Sequence, residues 1–172
     1  PGLANSIVST IELLPEFSSA DAVRGLEQCS HIWLVFVFSE CVEKGWSPLV
    51  RPPRLGGNKK LGVFATRSPF RPNPVGLSPV KLEAVRIEGN KVSLDVRGAD
   101  LLDGTPILDI KPYLPYSDVI SDAEFAVADQ IKKLDLPVVY SDTAQEICMQ
   151  YSQHTGEKLD AQISEILSCD PR

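Results

Sequence analysis

The sequence predicts a mainly β protein, an antiparallel β-barrel over residues 1–116 followed by a small helix-rich lobe over residues 117–172. Three observations lead there. Short apolar runs rich in β-branched residues recur through the first two thirds of the chain, separated by Gly, Pro and Asn punctuation. No long helical pattern falls between them, which argues against a parallel α/β sheet and for a barrel or sandwich. Beyond Ser117 the composition turns acidic and the apolar spacing becomes helical.

Taken in order, residues 11–15 read as a short strand stopped by Pro15, and residues 22–27 as at most one helical turn, broken at Gly25. Residues 31–38 form the longest apolar run, too short to span a membrane and suited to a strand buried on both faces. His31, at its start, reads as a hydrogen-bonded structural residue. Residues 46–58 are a loop with its own Pro and Gly, in which Trp46 either stacks on a base or, the favoured reading, anchors the loop in the core. Residues 61–65 read as a strand. Residues 80–87 and 91–97 form a hairpin about Glu88-Gly89-Asn90, and Val92, Leu94 and Val96 alternate with polar residues. Residues 107–110 are a strand holding Asp109, whose carboxylate needs a partner such as Lys111 or a loop arginine. Residues 122–134, 143–151 and 157–167 read as helices, the last with Leu159, Ile163, Ile166 and Leu167 on one side.

The chain is organised around residues 62–78. This loop carries Arg67, Arg71 and Asn73 between Pro69, Pro72 and Pro74. Each proline fixes its own φ and extends the residue before it, so the polar side chains are ordered before a ligand arrives. Gly76 then permits close backbone approach or a positive φ. Two arginines and an amide in so stiff a loop suit an anion or a nucleotide.

Charge supports that reading. The chain has 17 Lys and Arg against 23 Asp and Glu, for a net charge of −6. Residues 44–82 nevertheless hold eight basic residues and no carboxylate, so that stretch is +8 and the remainder −14. A basic stretch in an acidic protein is the footprint of one anionic partner met on one face. No glycine pattern of a P-loop or a Rossmann nucleotide site is present. Cys29, Cys41, Cys148 and Cys169 form no C-x-x-C pair, and with two histidines a zinc site is not expected. Reduced thiols fit a cytoplasmic protein. No export signal is read, and a start at Pro1 reads as a processed or trimmed piece.

Four blocks then resemble one family. They are Arg24-Gly-Leu-Glu with Ser30-His-Ile-Trp, Arg51-Pro-Pro-Arg-Leu-Gly-Gly-Asn, Thr66-Arg-Ser-Pro-Phe-Arg-Pro-Asn-Pro-Val-Gly, and Asp100-Leu-Leu-Asp-Gly-Thr-Pro-Ile-Leu-Asp-Ile-Lys-Pro-Tyr. The chain resembles the TrmO (formerly YaeB-like) family, tRNA methyltransferases acting on N6 of threonylcarbamoyladenosine beside the anticodon. The resemblance implies an S-adenosylmethionine-dependent enzyme on a β-barrel, a homodimer with its cofactor near the subunit interface. By motif it implies cofactor contacts at Arg71 and at the turn of Asp103, Gly104, Thr105 and Pro106. It also implies contacts at Ser39 and Glu40, where many members have His for Ser39, near Leu82, and at Pro1 and Gly2. Members begin with a further strand, and without one the barrel would stand open.

For the chemistry, Asp109 or Asp103 is the candidate base. Against this, Asp103 also reads as a turn former and Asp109 as half of a structural ion pair. Arg67, Arg71 and Asn73 would orient the nucleotide and its threonyl carboxylate, and Tyr113 would stack on a flipped base. Arg51, Arg54, Lys59 and Lys60 would take tRNA phosphates. The rivals are a non-catalytic RNA-binding module, which the basic stretch supports equally, and a nucleotide enzyme with a small-molecule substrate.

Overall fold

A computed structural model describes residues 5–53, 59–128 and 135–169. Its main element is a five-stranded antiparallel sheet. The strands are β1 (Val8–Glu12), β2 (His31–Val37), β5 (Val75–Glu88), β6 (Lys91–Arg97) and β7 (Ile107–Pro112), in the order β1-β6-β5-β2-β7. A two-stranded ribbon, β3 (Leu49–Val50) with β4 (Leu61–Gly62), stands apart from it. Three helices follow: α1 (Pro115–Asp118), α2 (Asp142–Thr155) and α3 (Leu159–Leu167).

The expected barrel is corrected to an open sheet. Edge strands β1 and β7 are five and six residues long and each pairs on one side only, so among the described residues no ladder joins them. A barrel needs that last pairing. The sheet does bend, with register shifts between Leu82 and Ala84 of β5 and between Val35 and Phe36 of β2 where β7 pairs with it.

The two-residue period of a strand puts alternate side chains on one face. Ile32, Leu34 and Phe36 of β2, Val80 and Leu82 of β5, and Val92, Leu94 and Val96 of β6 are buried together with Val23 and Ala99. Ile11, Leu13, Leu26 and Phe38 close the core at its margins. The hairpin over residues 80–97 stands as expected, but β5 begins earlier, at Val75. Gly76 sits directly over the Phe36 ring, where an added Cβ would lie 2.2 Å from the nearest ring carbon. Close approach, not a positive φ, therefore demands glycine there. The strand expected over residues 61–65 is only two residues long and turns into a 3-10 turn, Val63–Ala65.

Past Ser117, the helix expected over residues 122–134 is not formed at residues 122–127, which are turns and irregular chain, and residues 129–134 lie outside the described residues. The other two helices stand. Ser141 caps α2 by accepting from the Ala144 amide, and Gly156, at φ +78°, ends it.

Glu165 joins α3 to the chain just before β1. Its carboxylate accepts from the amides of Asn5, at 2.7 Å, and Ser6, at 3.0 Å, and from the Ser6 hydroxyl. From the other side, Arg97 of β6 donates to the Ser6 carbonyl at 2.7 Å. Burial pushes the Glu165 carboxyl up, but the Ser6 hydroxyl, the two amides and the Arg97 charge outweigh it and leave its pKa below the ordinary value of 4.5. A lowered carboxyl contributes stability that is fully present above its unfolded value and is lost as pH falls through the folded one. Glu165→Ala is expected to remove this share of acid sensitivity and to speed amide exchange at Ser6 at neutral pH. Hydrogen exchange reads both, and an unchanged Ser6 rate would mean that the clasp holds nothing.

Candidate functional site

Three loops meet at one end of the sheet, and backbone hydrogen bonds fix them. The Val37 amide donates to the Pro106 carbonyl at 3.0 Å, tying the exit of β2 to the turn before β7. The Phe38 amide donates to the Pro74 carbonyl at 2.8 Å, tying the same exit to the loop before β5. Ser39 and Glu40 follow in a 3-10 turn, Ser39–Cys41. Asn73 precedes β5, and its carbonyl accepts from the Val75 amide at 2.7 Å. Residues 103–106 enter β7. The structure thus gathers Ser39, Glu40, Asn73, Asp103, Gly104, Thr105 and Pro106 at one end of the sheet.

The side chains there divide by what they already bind. Thr105 closes its own turn, its amide and hydroxyl both donating to the Leu102 carbonyl, at 3.2 and 2.7 Å. Gly104 has φ +72°. Asp103 is exposed, and among the described residues its carboxylate makes no hydrogen bond. A turn-forming Asp ordinarily spends its side chain on the local backbone, and here Thr105 does that instead. Ser39, Glu40, Asn73 and Arg67 are likewise without side-chain partners among the described residues.

Arg71 differs. Its guanidinium donates to the Val63 and Thr66 carbonyls, at 3.2 and 2.7 Å, and lies 5.7 Å from the centroid of the Phe64 ring. It therefore holds the loop together. Asp109 is committed too, pairing with Lys111 at 2.8 Å and accepting from the Ile110 amide at 2.9 Å. The Lys111 contact, then that amide, hold its carboxyl below the ordinary carboxylate range.

Two expected site residues lie elsewhere. Tyr113 sits past the far end of β7, its amide donating to the His31 carbonyl at 3.1 Å, about 20 Å along the strand from Ile107. There it packs against Trp33, with ring centroids 5.5 Å apart. Leu82 is buried in the core about 23 Å along β5 from Val75, its amide donating to the Ser30 carbonyl. Pro1, Gly2 and Arg54 lie outside the described residues.

The basic stretch is exposed. Among the described residues none of Arg51, Lys59, Lys60 and Arg67 is in an ion pair. Trp46, expected in the core, is corrected to 55% exposed; it lies in the loop before β3 and joins neither sheet. Phe64, read as part of a strand, is 74% exposed. Sequence reasoning gave it no role, since an aromatic in an apolar run looks like core. Among the described residues, no group of three or more His, Cys, Asp or Glu is placed to hold a metal ion, and no helix is long and apolar enough to cross a membrane.

Comparison with known proteins decides the lineage. The family model of the tRNA-methyltransferase O N-terminal domain matches residues 1–119. This chain belongs to that family. It is 44% identical over 172 residues to the tRNA (adenine(37)-N6)-methyltransferase of Escherichia coli K12, covering 100% of this chain and 73% of that protein. It is 45% identical to the putative S-adenosylmethionine-dependent methyltransferase RcsF of Pseudomonas aeruginosa PAO1, covering 100% of this chain and 72% of that one. A crystal structure of TrmO superposes with a TM-score of 0.78 at 39% identity, covering 99% of this chain and 72% of that chain.

Proposed function

We propose that this protein is an S-adenosylmethionine-dependent tRNA (adenine-N6)-methyltransferase, acting on threonylcarbamoyladenosine beside the anticodon, in the cytoplasm and as a homodimer. Family membership carries the reaction class, and uncommitted polar side chains on stiff loops at one end of the sheet support the location. The RNA-binding module without catalysis is disfavoured by the names of the relatives, which are methyltransferases.

The donor set fits the cofactor. An exposed carboxylate at Asp103, the backbone of a glycine turn, and the polar side chains of Ser39 and Glu40 match the hydroxyl, amino and carboxylate groups of S-adenosylmethionine. When bound, that molecule supplies an electrophilic methyl group on a sulfonium. Methyl transfer forms a carbon–nitrogen bond, breaks the carbon–sulfur bond and releases one proton from the acceptor nitrogen. This chain's residues position the acceptor and receive that proton, and positioning is the larger part. Arg67 and Asn73 orient the modified nucleotide, with Arg67 suited to its carboxylate. Asp103, uncommitted, is the better base, since the Lys111 contact lowers the proton affinity of Asp109. Arg71 acts through the loop that it braces.

Tyr113 and Leu82 lie at the other end of the sheet. In the proposed homodimer a second copy brings that end toward the site, which is how a stacking role for Tyr113 and a cofactor contact near Leu82 stay compatible with this fold. Arg51, Arg54, Lys59 and Lys60 take tRNA phosphates.

Mass spectrometry of an anticodon stem-loop incubated with the protein and S-adenosylmethionine tests the reading. One added methyl only on RNA bearing the threonylcarbamoyl group is expected. Methylation of both RNAs would overturn the substrate, and methylation of neither would overturn the enzyme.

A further inference from the structure

We propose that Phe64, Trp46 and Phe70 form a stacking platform for the unpaired bases of an RNA loop. The inference rests on the tRNA reading above and names the surface that holds the loop.

The observations are exposure, rigidity and charge. Phe64 is 74% exposed and Trp46 55%, and Phe70 lies at the border of exposure. Among the described residues no other aromatic ring stacks on any of the three. Large exposed rings grouped on one loop system are costly in water and mark a contact surface.

These rings are held by a braced loop. Val63 is buried and anchors the 3-10 turn, which leaves the next residue, Phe64, outside. The Val63 amide donates to the carbonyl of Pro48, just before β3, at 3.0 Å. Its carbonyl takes the Thr66 amide at 3.1 Å, the Thr66 hydroxyl at 2.9 Å and the Arg71 guanidinium at 3.2 Å. The Thr66 hydroxyl accepts from Ser68, the Ser68 hydroxyl accepts from the Phe70 amide, and the Phe70 carbonyl accepts from Ser47, next to Trp46. One chain of hydrogen bonds thus links all three positions. A platform ordered in advance loses little entropy on binding.

Charge selects the occupant. The platform lies within the 39 residues that carry eight cations and no carboxylate. Exposed aromatics beside unpaired cations fit single-stranded nucleic acid, whose bases stack on the rings while its phosphates meet the cations. An apolar protein partner would use the rings and leave the cations unused. Arg71 stands over one face of the Phe64 ring, 5.7 Å from its centroid, which leaves the opposite face for a base.

The test is binding of a labelled anticodon stem-loop and, separately, of a fully paired RNA duplex. Phe64→Ala and Trp46→Ala are each expected to weaken stem-loop binding about tenfold, with the salt slope unchanged because no phosphate contact is lost. Duplex binding should not move, and Phe64→Tyr should bind the loop as the parent does. Stem-loop affinity unchanged in both alanine variants would overturn the platform. So would equal losses for loop and duplex. If Phe64→Ala instead turns a dimer into a monomer in sedimentation and leaves RNA affinity alone, a second copy covers this face and the proposal fails. Methyl transfer by the parent protein, measured in the same samples, separates the two ideas. Unchanged loop affinity in the variants with a methylating parent sinks the platform alone. Weakened loop affinity with a parent that does not methylate supports the platform and sinks the enzyme.

Discussion

Asp103→Asn is expected to lower kcat for methyl transfer by about 10²-fold or more, within the usual range for removing a general base, while Asp109→Asn changes it less than about threefold. The two carboxylates are six residues apart, and sequence alone leaves them equal. Their surroundings separate them. Asp109 has one oxygen on Lys111 and the other on the Ile110 amide, and both contacts favour its charged form. A carboxylate stabilised in that way has a lowered proton affinity and is a poor acceptor for a proton leaving nitrogen. Asp103 stands free at a turn that Thr105 has already closed. The variant keeps the size and much of the polarity, so the turn survives. Steady-state kinetics split the possible roles. A fall in kcat with the KM for S-adenosylmethionine unchanged identifies the base, whereas a raised KM with kcat intact makes Asp103 a cofactor contact only. An Asp103→Asn enzyme as fast as the parent, at the same KM, removes Asp103 from the site.

The same contrast shows what a sequence exposes and what it hides. Hairpin β5–β6 was readable from the alternation at Val92, Leu94 and Val96 and from the turn at Gly89. A partner for Asp109, Lys111 or a loop arginine, was expected because a carboxylate in an apolar strand needs one, and Lys111 supplies it. The early start of β5 was hidden by Pro79, which ordinarily demotes a strand, and by Gly76, whose reason is the Phe36 ring on a neighbouring strand. Arg71 and Thr105 spend their donors on backbone carbonyls, acceptors that every residue has, so no sequence pattern announces the pairing. Barrel closure depends on whether the first and last strands meet, a long-range matter on which local periodicity is silent. Trp46 was misplaced for the converse reason. Its size favours burial, but it stands in the irregular loop before β3, outside both sheets, and is 55% exposed.

Arg86→Leu should cost about 2–3 kcal/mol of stability, below the full value for breaking a wholly buried ion pair because one partner faces water. The Asp95 side chain is 8% exposed and that of Arg86 58%. Asp95 lies opposite Thr10 of edge strand β1 and accepts from its hydroxyl at 3.0 Å. On the other side it accepts from Arg86 of β5, from Nε at 2.7 Å and, in a second contact, from Nη2. One carboxylate therefore staples three adjacent strands beside the register shift at Leu82 and Ala84. Removing the arginine leaves a buried charge with a single hydroxyl partner, and its desolvation is no longer offset. Asp95→Asn removes the charge but keeps an acceptor for Thr10, so it should cost less, about 1 kcal/mol. With both changed, Arg86→Leu with Asp95→Asn, the cost should be smaller than the sum of the two, because the stranded charge is gone. Urea unfolding of the three variants measures this coupling directly. Additive losses would mean that the pair does not act as a unit, and an Arg86→Leu cost near zero would mean that water reaches Asp95 and the staple carries no load. The edge strand sets the stakes, since among the described residues β1 forms a ladder with β6 alone, and Ser6, just before it, is what Glu165 and Arg97 clasp. Loosening Asp95 should therefore raise amide exchange along β1 before it does so in β2 or β5, as expected of an edge with one ladder.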